Sequence, residues 1–210
     1  MAHVTGVIRL LDWTLLENGL RYALAMERPL NSISFKEFRN KQTGRRFDEK
    51  LAQNLFCQMV ETVTACHYAG VIHRDLKESN FLICETTMTL KLIDFGYSAH
   101  MNTTSTGTIF NQFSGTLKCA PPEWFQTKQY KGVDAEIWTL GVLLYRMIFG
   151  VHPFKNVKEI SNANVMLKEN KPFPSVECQD LICKCLALNP RNRPTLENIK
   201  RHPWLNIVSK

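Results

Sequence analysis

Two apolar runs, FLIC at 81–84 and LKLI at 90–93, flank the polar connection ETTMT, and the simplest structure for such a pair is a β-hairpin. What borders the hairpin constrains the chain further. HRDLKESN ends at Asn80, where the first strand starts, and DFG begins at Asp94, where the second strand leaves off. Antiparallel pairing would bring these two residues together at the open end, about 5 Å apart across the strands. A carboxylate and an amide oxygen converging there form a hard-cation site of the kind magnesium takes when phosphates complete its shell. Asp75 and Lys77 belong to the same eight-residue stretch. Together the four groups can hold a metal-bound phosphate next to a hydroxyl.

The rest of the chain reads as support for that hairpin. GVIRLLDW and LRYALAME, joined through a turn at Gly19, suit a pair of strands. SFKEFRN and then FDEKLAQNLFCQMVETVTACHYAG show helical spacing, the second through Leu51, Leu55, Met59 and Val63 with Gly70 placed as its stop. VDAEIWTLGVLLYRMIFG is apolar on nearly every face, which marks the buried centre of a helical body. VECQDLICKCLAL and TLENIKRHPWL read as amphipathic helices around it. At 210 residues and 44% hydrophobic, one domain is expected.

Several function classes fall away on composition. No run approaches the roughly 20 apolar residues of a membrane span, and MAHVTG lacks the profile of a signal peptide, so a cytoplasmic protein, with nuclear presence allowed, is expected. The seven cysteines are odd in number and scattered, as reduced thiols are. Cys178, Cys183 and Cys185 lack the second paired knuckle of a zinc site, and no zinc is assigned. The net charge of +7 is dispersed, without interleaved stacking aromatics, which argues against nucleic-acid binding.

The order His73-Arg74-Asp75, Asn80, Asp94-Phe95-Gly96 and Pro121-Pro122-Glu123 resembles the signature set of protein kinases. GVIRLLDW, the hinge-like Glu27-Arg28-Pro29, KLIDFG, PPEW, CLAL and HPW are similar to the PIM family of serine/threonine kinases, from about Gly6 to the C-terminus. The resemblance implies an α+β, protein-kinase-like fold with a mainly helical C-terminal lobe, and transfer of phosphate from magnesium-bound ATP to serine or threonine. Asp75 would orient the attacking hydroxyl, Lys77 would neutralise the moving phosphoryl group, and Asn80 with Asp94 would hold magnesium. His73 would be scaffold, and the Thr116 hydroxyl would bridge the acid and the lysine. Met26 would flank the nucleotide, Leu82 would floor its pocket and Ile93 would line it. The Glu27 carbonyl would accept from adenine, while Pro29 has no N–H to donate. Glu123 and Arg193 would form a buried ion pair holding the activation segment.

Departures from the family pattern shape the remaining expectations. No glycine-rich loop, strand lysine or partnering helix glutamate is found, so the expected organisation is a partial kinase domain. Residues 1–27 would be a two-stranded remnant of the small lobe, and 28–210 the hinge and large lobe. A catalytically impaired fragment acting as a binding or decoy module is the alternative. Glu136 stands where kinases carry an aspartate bonded to the catalytic-loop backbone, one methylene longer. Gln112 replaces an acid, which makes phosphate on Thr108 or Ser114 the expected charge for Arg74. Protein substrates with basic residues before the acceptor are expected to meet Glu37 and Glu78, although Ser34 and Ser79 stand where further acids belong. A monomer is expected, with an uncovered ribbon edge that invites association.

Overall fold

The computed structural model describes residues 4–16, 19–101, 107–167 and 173–205. The start at Met1 and the serine- and threonine-rich positions 102–106 lie outside them. The first two apolar runs form an antiparallel ribbon, β1 (Leu10–Leu15) and β2 (Tyr22–Met26), with an irregularity between Leu10 and Asp12. Both faces of the ribbon meet solvent, with Trp13 56% and Leu24 57% exposed. Its root is tied to the large lobe through Glu27. The Glu27 N–H donates to the Arg9 carbonyl at 2.9 Å, and Lys91 Nζ lies 3.0 Å from Glu27 Oε1. The Lys91 ammonium, with help from the Arg9 backbone N–H, holds this carboxyl below its ordinary range.

After the hinge comes β3 (Ser32–Ser34), which the sequence patterns did not reveal, and then α1 (Phe35–Lys41). Ser34 and Glu37 close a capping box at the start of α1. The long helix α2 (Glu49–Tyr68) starts at the Asp48 cap and ends with Gly70 at φ 75°, the left-handed stop its position suggests. Leu55, Met59 and Val63 are all buried on its inner face, as their spacing requires. The short strand β4 (Val71–Ile72) leads into the catalytic-loop sequence, and the hairpin follows as β5 (Phe81–Cys84) and β6 (Thr89–Leu92). β3 pairs antiparallel with β5, giving a three-stranded sheet of order β3-β5-β6. Phe81, Ile83, Leu90 and Leu92 enter the core, which leaves Leu82, Cys84 and Lys91 on the other face.

The remaining strands are two residues each: β7 (Ala99–His100) pairs with β4, and β8 (Ile109–Phe110) pairs with β9 (Tyr130–Lys131). Between them lies α3 (Pro122–Thr127), opened by proline at its first position. The apolar helix α4 (Gly132–Phe149) is the axis of the lobe, and within it Val133, Asp134 and Arg146 alone keep partial exposure. Around it pack α2 and α6 (Val176–Cys185), with α5 (Val157–Ser161) against α3 and α7 (Leu196–Lys200) against α2. Cys178 and Cys185 are fully buried helix residues, and Cys183 is exposed.

Helix α4 ends at Gly150, whose φ of 72° places it in the left-handed region. A side chain there would also run into the Gly44 carbonyl of the loop after α1. Gly150→Ala is therefore expected to destabilise the fold by about 2 kcal/mol or more, measured as a lowered urea midpoint with an unchanged m-value.

Candidate active site

Asp75 is 3% exposed and its carboxylate is surrounded by donors. Oδ1 accepts from the Thr116 backbone N–H at 3.0 Å and from the Thr116 hydroxyl at 3.1 Å. Oδ2 takes Lys77 Nζ at 2.5 Å and Asn80 Nδ2 at 3.1 Å. A carboxylate offers about four lone-pair sites, and four donors fill them. The expected arrangement is corrected in one respect: threonine and lysine sit on opposite oxygens, so the carboxylate itself is the bridge. Cys119 lies close by, and burial pushes its thiol up to about 11, which makes it an inert neighbour and no nucleophile.

Asn80 and Asp94 do stand at the open end of the hairpin, with a one-residue offset from direct pairing. Phe81 faces Leu92, and the Ile93 N–H donates to the Asn80 carbonyl at 2.8 Å, so Ile93 is the residue opposite Asn80. In a regular strand Asp94 would then face away from Asn80. Its φ of 65° breaks the pleat at that residue. The side chain is exposed and accepts the Gly96 N–H at 3.3 Å through Oδ1. Asn80 spends its side-chain N–H groups on the Asp75 carbonyl and carboxylate, which leaves its side-chain Oδ1 to turn toward a cation. The donor set fits a hard divalent cation: one amide oxygen and one carboxylate, with room for phosphate and water.

The loop carrying Asp75 is fixed from beneath. Glu136 is 3% exposed; its Oε1 accepts the backbone N–H groups of His73 and Arg74 at 2.7 and 2.9 Å, and its Oε2 lies 2.6 Å from His67 Nε2. The longer side chain thus keeps the loop contact expected of an aspartate and adds a histidine from α2, a partner the sequence did not suggest. His73 acts as scaffold: Nδ1 accepts the Asp75 N–H at 3.2 Å, Nε2 reaches the Ile93 carbonyl at 3.0 Å, and its ring meets Phe95 edge-on. That histidine therefore couples the catalytic loop to the start of DFG.

Glu78 is a correction. It was expected to face a basic substrate residue, but it is 2% exposed and held between two arginines. Arg39 Nε lies 2.6 Å from Oε1 and Arg146 NH2 lies 2.8 Å from Oε2. Two guanidinium groups, from α1 and α4, thus claim the acid. The arginine inside LLYRMIFG was the signal, a charge with no place in an otherwise apolar helix. Glu37 is exposed but engaged in the α1 capping box, and Ser79 is exposed and neutral.

On the nucleotide side the register gathers part of the expected set. Leu82 pairs with Lys91 on the outer sheet face, Lys91 reaches Glu27, and Ile93 follows two residues later on that face. Met26, next to Glu27, is 49% exposed. Pro29 lies apart from these, along a hollow of about 700 Å³ with Ser32, Ile33 and Glu85.

The activation segment is docked through uncharged groups. Arg74 NH2 donates to the Gln112 carbonyl at 3.2 Å and the Ser114 hydroxyl at 2.9 Å, and its guanidinium sits 4.0 Å from the Phe110 ring centroid. Further along, Arg193 grips Glu123 with both terminal nitrogens, at 2.9 and 2.7 Å, and also donates to the Ala187 and Asp134 carbonyls.

A family profile described as the protein kinase domain matches residues 2–205. Serine/threonine-protein kinase pim-2 of Danio rerio is 38% identical over 95% of this chain and 61% of its own length. Serine/threonine-protein kinase prk-2 of Caenorhabditis elegans is 40% identical over 96% of the chain and 44% of its own length. The PAS domain-containing serine/threonine-protein kinase of Mus musculus is 36% identical over 95% of the chain and 14% of its own length. The chain thus spans at most 61% of the length of these relatives.

Arg193→Ala removes one half of a buried bidentate pair and strands Glu123. The expected cost is about 3–5 kcal/mol of stability, with faster proteolysis within residues 107–120. A cleavage pattern identical to that of the parent protein would contradict this.

Proposed function

Because the chain belongs to the protein kinase family, with serine/threonine kinases as its relatives, we propose that it transfers the γ-phosphate of ATP to serine or threonine of proteins, as a PIM-like kinase. The supporting observation is the Asp75 carboxylate. Three residues that the sequence motif separates by up to 41 positions converge on it with hydrogen-bonding geometry. A dedicated scaffold would have no need of all of them.

The mechanism follows from which donor can leave. Thr116 and Asn80 are held by backbone and buried contacts, whereas Lys77 is 30% exposed. When a nucleotide is present, the lysine ammonium is attracted to the phosphate oxygens and vacates Oδ2. The freed lone pair can then accept the hydrogen of the acceptor hydroxyl and aim its oxygen at the phosphorus. Asn80 and Asp94 would hold magnesium, which when bound supplies charge neutralisation on the phosphates. Burial of Asp75 keeps water from competing for that carboxylate.

A second reading is docking of protein partners without turnover. We further read residues 1–27 as the small-lobe end and 28–210 as the hinge and large lobe of one kinase domain. The protein would act as a cytoplasmic or nuclear monomer. A preference for basic residues before the acceptor would have to rest on Glu37, since Glu78 is spent.

ATP-dependent labelling of a serine peptide separates the two readings. Asp75→Asn is expected to lower the rate at least a hundredfold, and Lys77→Met by about a hundredfold. Labelling that is absent in the parent chain but accompanied by peptide binding would favour docking.

A further inference from the structure

The flank of the catalytic loop nearest Glu78 carries more positive charge than it neutralises. Arg39 and Arg146 share one carboxylate, and Arg39 already lies 2.6 Å from it. Arg39 is also satisfied by the Arg45 and Gly150 carbonyls, at 2.9 and 3.3 Å, and is almost wholly buried. Arg146 is different. Its side chain is 24% exposed, and one terminal nitrogen lies 2.8 Å from Glu78.

A second cation stands beside it. Lys118 is exposed in the turn at 117–119, and no carboxylate among the described residues forms an ion pair with it. His152, in the loop after α4, lies close to both. Burial first, and then the charges of Arg146 and Lys118, keep its imidazole below the ordinary pKa, as expected where positive charge is uncompensated. The same corner adjoins the chemistry: Cys119, next to Lys118, feels the charges of Arg146, Asp75, Glu78 and Lys77 together.

We propose that Arg146 and Lys118 form a specificity site that receives an anionic side chain of the protein substrate, carboxylate or phosphate, beside the residue to be phosphorylated. A partly exposed arginine held in place by Glu78 accepts such a group with little loss of rotamer freedom. Like charge repels lysine or arginine at the same place, so the site selects by exclusion as well as by attraction. The inference rests on the kinase reading for the identity of the partner as a substrate.

The test reads binding and not turnover. Fluorescence anisotropy with the full chain would compare serine peptides flanked by glutamate, phosphoserine, glutamine or arginine, at two salt concentrations. The glutamate and phosphoserine peptides are expected to bind about tenfold more tightly than the glutamine peptide, with the arginine peptide weakest and the preference shrinking in high salt. The ratio of the first two distinguishes carboxylate from phosphate. Arg146→Gln and Lys118→Gln are each expected to reduce the preference several-fold. Lys118 is exposed, so that variant keeps the test valid if Arg146→Gln fails to fold. An arginine peptide that binds as well as the acidic ones, a preference unmoved by Lys118→Gln, or no peptide binding at all would overturn the proposal. Asp75→Asn should abolish labelling and retain the preference, so failure of the chemistry and failure of the site give different results.

Discussion

An ionised carboxylate inside a protein must collect donors or be expelled, and the catalytic loop is built around three of them. Asp75, Glu78 and Glu136 are each 3% exposed or less. Their partners come from distant parts of the chain: Arg39 in α1, His67 in α2, Arg146 in α4 and Thr116 in the activation segment. Leaving any of these acids unpaired costs several kcal/mol, so the loop can take its native form only when all four segments are in place. Stability and catalytic geometry are thereby coupled. The helices are a hydrophobic body, but their relative placement is tied through these acids to residues 73–80.

That coupling also explains why so small a set of groups can be positioned for chemistry. Glu136 holds the backbone of His73 and Arg74, His73 ties the loop to Ile93 and Phe95, and the hairpin register then sets where Asp94 begins. Each step is a short, directional contact inside a low-dielectric interior, where misplacement is penalised more heavily than at a surface. Among the described residues the ribbon β1–β2 shows no such network, although Gly6 and Ile8 just before it bond the backbone of Leu92. It is joined to this frame through Glu27 and Lys91, with both faces in water.

Much of the site was legible because its residues are close in sequence or joined by a hairpin of fixed period. Asp75, Lys77 and Asn80 fall within one loop, and the apolar runs at 81–84 and 90–93 announce the hairpin. Three things were not legible. The left-handed backbone at Asp94 shifts it relative to Asn80, and no local pattern announces a positive φ at an aspartate. Glu78 looked like a surface acid in a polar stretch, because its two arginines lie 39 and 68 positions away. Strand β3 is three residues long, too short to carry a period.

The sequence by itself determined the family, the hairpin, the apolar axis at α4 and the residues that can touch a metal-bound phosphate, because these depend on spacing and chemical type. Only the tertiary structure decided which charges remain available. Burial and pairing are properties of the packed chain: they removed Glu78 from the substrate face, left Lys118 without an acidic partner among the described residues, and seated Arg74 on a carbonyl, a hydroxyl and an aromatic ring.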